Sequence, residues 1–496
     1  MSKQLYINDI EELFDEVQKN KIFEDQKTMT DATPKYSVNE IIKEYKKQKN
    51  NQSFDLKEFV LNQFDFPDKI ETKDNFSKVS IEEHIERLWS HLTKESNENK
   101  GTLLYLPKPY IVPGGRFNEF FYWDSYFVML GLKESNHVEM LKNIVENCAY
   151  LINEYGFVPN ASRTYFLSRS QPPYFSLMVQ LLVEATNDKN LYSKYFPILE
   201  KEYQFWMNGE NDIENNQSIN HVVKLDNGVI LNRYFDNKNE PRPESYSMDL
   251  EDKEKSNDKN FYQNIRAACE SGWDFSSRWF SDYKTIENIT TLNILPVDLN
   301  SLLFNLEKLL TETSEYLGES SEKITFYKKR SASRANAIQK YFWDEKTKIY
   351  RDFNFKLNEQ TLSEHVGMFY PLYFGISNIE QANGVEQFIK ANILYDGGLV
   401  TTTNHSGQQW DLPNAWAPFQ WLGYEAMIKY NFNSTAQQIA KNWCTIVEKI
   451  YNKTGKLMEK YNAVDTSLLA GGGEYPNQDG FGWTNGIYLY LKNRIK

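Results

Sequence analysis

Cysteine, histidine and positive charge are all scarce in this chain of 496 residues. Three cysteines occur, Cys148, Cys269 and Cys444, far apart and without paired spacing. That excludes a disulfide framework and suits a reducing compartment. The six histidines, at positions 84, 91, 137, 221, 365 and 405, form no HxH, no HExxH and no Cys/His cluster. Zinc chemistry is thereby excluded. No calcium-loop pattern stands out either, so neither metal nor cofactor is expected. The formal net charge is -12, the wrong sign for a phosphate backbone, so nucleic acid is excluded as a partner. No apolar run reaches membrane-spanning length. The opening MSKQLYINDIEELFDEVQ has no apolar signal core and carries acids early. The expectation is a cytoplasmic protein with no membrane association. Patterns for phosphate loops, for dinucleotide binding and for a G-x-S-x-G nucleophile elbow are missing as well.

Aromatic residues, by contrast, are abundant. Tyr 32, Phe 31 and Trp 11 make 15% of the chain. Aromatic faces fill cores, and they also cover the apolar C–H faces of sugar rings.

Residues 7–20 place Ile10, Leu13, Phe14 and Val17 on one helical side, and helices are expected again at 37–48 and 79–93. The polar runs near 46–54 and 94–100 read as surface loops. Residues 1–85 are expected to be a helical extension packed on a catalytic domain spanning 86–496. From about 118 the spacing predicts helices over 121–134, 138–154, 174–186, 193–208, 259–268, 299–317, 322–343, 361–374, 383–394, 416–430 and 435–451. Over 138–154, Val138, Leu141, Ile144, Val145, Cys148, Leu151 and Ile152 trace one apolar stripe. Asp298 or Asn300 is placed to cap the helix that follows it. Several helices end alike, in YFWDEKTKIYRD at 341–352 and KIYNKTGKLMEKY at 449–461. The pattern is an all-α repeat of helical hairpins, and periodicity leaves open whether it is a solenoid or a closed toroid.

Several segments interrupt the helices. Residues 113–126 read PGGRFNEFFYWDSY, with Arg116, Trp123 and Asp124. Residues 156–173 read GFVPNASRTYFLSRSQPP, with Asn160, Arg163, Arg169 and Gln171. PRPESY at 241–246 carries Arg242 and Glu244, inside an acid-rich stretch at 236–255 whose role the sequence leaves open. CESGWDFSSRW at 269–279 sets Asp274 between Trp273 and Phe275, with Arg278 just after. QQWDLPNAWAP at 408–418 holds Trp410, Asp411 and Trp416. Near the end come MEKY, with Glu459, and GGGEYPNQDGFGWTNG at 471–486, with Glu474 and Trp483.

Carboxylates, arginines, amides and indoles without metal or nucleophile motif suit glycosidic bond hydrolysis. There one carboxyl group protonates the leaving oxygen and another activates water or attacks the sugar carbon. Asp274, flanked by aromatic surface, suits an acid that burial keeps protonated. Each residue also has a plainer reading. Asp274 can cap a helix or pair with Arg278, and Trp123, Trp273 and Trp410 can be core residues.

These segments, in this order and spacing, resemble glycoside hydrolase family 37, the trehalase type. PGGRFNEFFYWDSYF resembles the family's first signature and QQWDLPNAWAP its second, and the resemblance runs from about residue 10 to 490. It implies a six-hairpin (α/α)6 toroid barrel with the site at one end. It also implies inverting hydrolysis of α,α-trehalose to two glucoses, with Asp274 as general acid and Glu459 as general base. Arg116, Arg169 and Arg242 would be its arginine set, and Asn160, Gln171, Glu244 and Glu474 sugar-binding positions. Trp123, Asp124, Trp410 and Asp411 would line or support the pocket, and Phe120, Tyr122, Trp416 and Trp483 would serve as aromatic walls. The glycines at 471–473 suit a lid that carries Glu474 and Tyr475 over the sugar. One departure is Ala415, where the second signature more usually has glycine. The alternatives are a related α/α-barrel glycosidase acting on another α-linked glucoside, a sugar-binding sensor, and a helical scaffold. A monomer is expected.

Overall fold

The computed structural model describes residues 3–67, 79–96 and 98–496. Part of the expected N-terminal extension, residues 68–78, and part of the expected loop at 94–100, residue 97, lie outside these.

Six inner helices form a closed ring: Tyr122–Glu134, Phe175–Thr186, Val297–Leu317, Phe369–Tyr373, Ala417–Lys429 and Gly482–Lys492. Each touches the next, and the last returns to the first. Around them lie Val138–Tyr155, Asn190–Trp206, Ser321–Tyr341, Ile379–Asn392, Asn433–Thr454 and Ile81–Leu92. The toroid left open by sequence periodicity is therefore a closed (α/α)6 barrel. Its closing pair joins both ends of the chain, because Ile81–Leu92 packs on Gly482–Lys492.

Composition sorts the two rings. Inner helices are buried on nearly every side, as in Tyr122–Glu134, where every residue from Tyr122 to Leu132 is buried. Outer helices carry one apolar stripe, as in Val138–Tyr155, where Leu141, Ile144, Val145, Cys148, Leu151 and Ile152 face inward. The tightest inner crossing needs two glycines. A Cβ on Gly131 would stand 2.3 Å from Gly486 Cα, so no side chain fits between those helices.

Three expectations about elements change. The helix read over 361–374 is instead a strand at Glu359–Gln360, a 3-10 turn at Val366–Met368 and a short helix at Phe369–Tyr373. Apolar density there reflects burial rather than helical period. The stretch read as a loop from 94 begins as a strand, Thr93–Ser96, paired antiparallel with Leu106–Ile111. Neither Asp298 nor Asn300 caps the helix at 297, whose N-cap is Pro296.

The N-terminal residues have a small core of their own, with Leu13, Phe14, Val17, Ile41, Tyr45 and Phe64 buried together. They dock on the barrel through buried charges. Lys27 bonds Asp31 and, at 2.8 Å, Glu119. Arg163 lies 3.3 Å from both acids, and Tyr165 donates to Asp31 at 2.8 Å.

Candidate active site

The loops that interrupt the helices converge at one end of the barrel around a cavity of about 720 Å³. Segments hundreds of residues apart meet there because they all leave the same rim of the ring. Fourteen of the positions read from the sequence line it: Arg116, Trp123, Asp124, Asn160, Arg169, Gln171, Arg242, Glu244, Asp274, Trp410, Trp416, Glu459, Glu474 and Trp483.

Three others lie behind the wall. Asp411 is fully buried and ties loops together, accepting from Ser276 Oγ (2.7 Å), Ser277 N (2.8 Å) and Thr402 Oγ1 (2.9 Å). It is thus a support of the Asp274 segment. Phe120 and Tyr122 are corrected as aromatic walls. Phe120 is fully buried with its edge against Tyr110. Tyr122 gives its hydroxyl to buried Glu202 and accepts from Phe175 N at 2.7 Å. Tyr122 opens an inner helix and Phe120 lies just ahead of it, and both rings pack into the core. Trp273 is a core residue as well.

The three arginines share one design, each held by a carboxylate. Asp25 holds Arg116 at 2.6 Å, Glu244 holds Arg169 at 2.7 Å, and Asp249 holds Arg242 at 2.6 Å. The acid-rich stretch 236–255 thereby gains a role. Its helix Tyr246–Lys255 supplies Asp249, and Asp236 lies 3.0 Å from Arg266 and 3.6 Å from Arg169. Burial alone would raise Glu244, but Arg169, Arg242 and Arg266 together hold it below the usual carboxylate range. Its Oε2 has no hydrogen-bond partner among the described residues.

Asp274 differs. Burial pushes it up to about 7, and nearby Glu474 adds to the rise. Arg242, a backbone hydrogen bond and Arg169 oppose it without prevailing. Arg278 does not pair with Asp274; it turns away to Asp298 and Asp352. Asp124 is raised well above its ordinary range, first by burial and then by Glu459 and Asp274.

Glu459 is 1% exposed. Tyr475 donates to its Oε1 at 2.9 Å, and Lys460 lies 3.3 Å from its Oε2. The strand Asn414–Trp416 pairs with Lys460–Asn462, placing the second signature beside the Glu459 segment. Ala415 sits in that strand opposite Tyr461, where extended backbone asks nothing special of glycine. Trp410 and Trp416 stack at 3.8 Å with 2° between planes.

The loop after Gly471 lies over the cavity. Glu474 bonds Arg242 at 2.7 Å and Ser245 at 3.1 Å, while Tyr475 lies under Arg116 at 4.8 Å. Outward, a wider vestibule of about 1620 Å³ shares Arg116, Glu474 and Tyr475 with the inner cavity. Residues 23–28 form part of its wall, so the N-terminal segment builds the mouth. Sequence reasoning missed that wall, since nothing in FEDQKT marks a site. It also passed over Gln409 and Lys460, although both lie inside segments singled out for their neighbours.

The sequence profile described as Trehalase matches residues 21–495. A protein named periplasmic trehalase from Shigella flexneri serotype 5b is 42% identical over 488 residues, covering 97% of this chain and 86% of that one. A periplasmic trehalase from Escherichia coli K12 is 41% identical with the same coverage. Among solved structures, the neutral trehalase of Saccharomyces cerevisiae superposes with a TM-score of 0.67 at 25% identity, covering 85% of this chain and 80% of that one. A GH63 mannosylglycerate hydrolase from Thermus thermophilus gives 0.56 at 16% identity, covering 83% of this chain and all of the other, a likeness of fold alone. The expected cytoplasmic location is corrected by the Shigella and Escherichia relatives, whose names place them in the periplasm. The three cysteines, read as suiting a reducing compartment, are compatible with the periplasm as well. All three are buried and unpaired, so an oxidising space has no exposed thiol of theirs to couple.

Proposed function

The chain belongs to the trehalase family and is an inverting glycoside hydrolase of α,α-trehalose; we propose that Asp274 is its general acid and Glu459 its general base. The observation that carries this assignment is the contrast between two carboxyl groups in one buried cavity. Asp274 retains a proton up to about pH 7, whereas Glu459 is faced by a buried ammonium group and a phenol that donates to it. Asp274 gives its proton to the bridging oxygen as the bond to the anomeric carbon breaks. Glu459 takes a proton from a water that attacks the same carbon from the opposite face. The attacked sugar leaves as β-glucose and its partner as α-glucose. One water is consumed, and the proton lost by Asp274 is replaced as Glu459 gains one.

The other residues bind and orient. Arginine forks at 116, 169 and 242, each charge-balanced by a carboxylate, direct their remaining N–H groups at sugar hydroxyls. Asn160, Gln171, Glu244 and Glu474 select hydroxyl positions, and the Trp123, Trp410 and Trp416 walls cover ring faces. The loop at 471–478 is a lid whose closed position joins Glu474 to Arg242 and Tyr475 to Glu459. The described residues 3–67 serve as a docked extension that shapes the mouth of the site, the barrel itself beginning with its outer helix Ile81–Leu92, and the enzyme acts as a monomer.

Proton NMR of the anomeric signals during the first turnovers tests the assignment. Equal early α- and β-glucose is expected from the wild-type protein. Glu459→Gln is expected to lower kcat by about 10²–10⁴-fold with its melting temperature retained. Two α-glucoses, or full activity in that variant, would remove Glu459 from the role of base.

A further inference from the structure

We infer that Gln409 and Lys460 form a positioning bridge that couples the two catalytic carboxyl groups, an inference that rests on the roles assigned to Asp274 and Glu459. Gln409 Nε2 donates to the backbone carbonyl of Asp274 at 2.5 Å. Its Oε1 accepts from Lys460 Nζ at 2.8 Å, and the same Nζ lies 3.3 Å from Glu459 Oε2. One continuous path of three contacts therefore runs from the acid's main chain to the base's carboxylate. Gln409 and Lys460 are each 1% exposed, so bulk water does not compete for these contacts.

The bridge is itself fixed from several sides. The Gln409 carbonyl accepts from Asn414 Nδ2 at 3.1 Å and from Trp416 Nε1 at 3.0 Å. The Lys460 ammonium lies between two rings, 5.1 Å from that of Trp416 and 5.2 Å from that of Tyr475. A cation so placed is drawn to the π-electrons of both rings, which fixes its position. Gly473 of the lid lies directly against Gln409, where a Cβ would come within 2.6 Å of Oε1. The lid, the acid and the base thus meet at one amide side chain.

Chemistry gives each end a distinct task. Gln409 fixes the main chain of Asp274, and so the direction from which its proton is delivered. Lys460 supplies a positive charge beside Glu459, which favours the carboxylate that must accept the water's proton. The other titratable groups facing Glu459 are Tyr475 and Asp124. One is a phenol and the other an acid, so Lys460 is the cation paired with that carboxylate among the described residues. Neither bridge residue needs to touch sugar, and the effect of losing either should fall on kcat rather than KM.

The test is a double-variant cycle in the full chain with Gln409→Met and Lys460→Met, near-isosteric changes that remove the polar ends. Each is expected to lower kcat about tenfold or more while KM changes less than about threefold. In Lys460→Met the acid limb of the kcat/KM profile should move to higher pH by about one unit or more. Lys460→Arg, which keeps the charge, should leave that limb in place. The double variant should lose little more than the worse single variant, because one path is cut once or twice with the same result. An acid limb that superimposes on the wild type, or losses that multiply in the double variant, would overturn the bridge. Should Lys460→Met fail to fold, Gln409→Met alone carries the test, since the bridge requires its kcat to fall with KM retained and an unaltered kcat overturns it. Glu459→Gln run alongside separates the two failures. Activity retained there removes the base itself, whereas inactivity there beside unaltered bridge variants removes only the bridge.

Discussion

Replacing Asp274 with asparagine yields a folded, substrate-binding protein whose kcat falls by about 10²–10⁴-fold, the usual worth of a positioned general acid. The wild-type enzyme should lose activity on the alkaline side through a pKa of about 7, because the acid works only while protonated. The same group should lower stability at high pH. Its folded pKa of about 7 lies above the roughly 3.9 of an unfolded aspartate. Between those values the native state holds a proton that the unfolded state has released, so stability is full below pH 4 and declines as pH rises through 7. At 1.36 kcal/mol per unit this is on the order of 4 kcal/mol. Asparagine carries no ionisation to suppress. Asp274→Asn should therefore match the wild type in melting temperature near pH 4 and exceed it at pH 8. An equal difference at both pH values would show that the carboxyl group is not held protonated by its site.

How much of this was legible in the sequence depends on what each feature leaves in the chain. Outer helices such as Val138–Tyr155 print a one-sided stripe, and their limits were read to within a few residues. Inner helices are apolar on all sides, and there apolar density says only that a segment is buried. This is why residues 361–374 read as one helix although only Phe369–Tyr373 is α-helical. The site's rim was legible for a different reason. Charged and amide side chains in segments dense in aromatics and glycine have no obvious core role, so Arg116, Arg169, Arg242, Asp274 and Glu474 stood out one segment at a time. What no single segment could express is pairing across the rim. Asp249 behind Arg242 looked like one acid among many, and Asp25 beside Arg116 lies in an unremarkable polar stretch. Phe120 and Tyr122 misled because a signature segment runs into the start of an inner helix, where Phe121, Trp123 and Asp124 line the cavity while Phe120 and Tyr122 pack into the core.

Arg278, four residues after the proposed acid, sets the largest expected loss of stability. It forks into two carboxylates, reaching Asp298 through Nη1 and Nη2 at 2.9 Å and Asp352 through Nε at 2.7 Å. Its guanidinium lies between the rings of Trp273 and Trp279, at 4.4 and 4.3 Å. Asp352 also accepts from Val297 N at 2.9 Å and lies 3.1 Å from His365. This buried cluster locks the Asp274 segment to the start of the inner helix Val297–Leu317 and to Asp352, between the strands Ile349–Tyr350 and Phe353–Asn354. Arg278→Met keeps much of the side-chain volume but leaves two buried acids without their main counter-charge, which costs roughly 3–5 kcal/mol or more. Lysine should rescue little, since a single ammonium cannot make both forks. The loss should depend on pH in a definite direction. Burial alone would raise Asp352, yet Arg278 and then His365 hold it below the usual carboxylate range. In the wild type that stability is present above the ordinary pKa near 3.8 and lost as pH falls through the lower folded value. Without the arginine, burial drives Asp352 towards its neutral form, so the variant gains relative stability as pH falls. The gap between urea midpoints should thus be wide at pH 8 and narrow towards pH 4, with the slopes of the two transitions unchanged. A gap that stays constant with pH would mean that the arginine contributes through packing between the two tryptophans rather than through its charge.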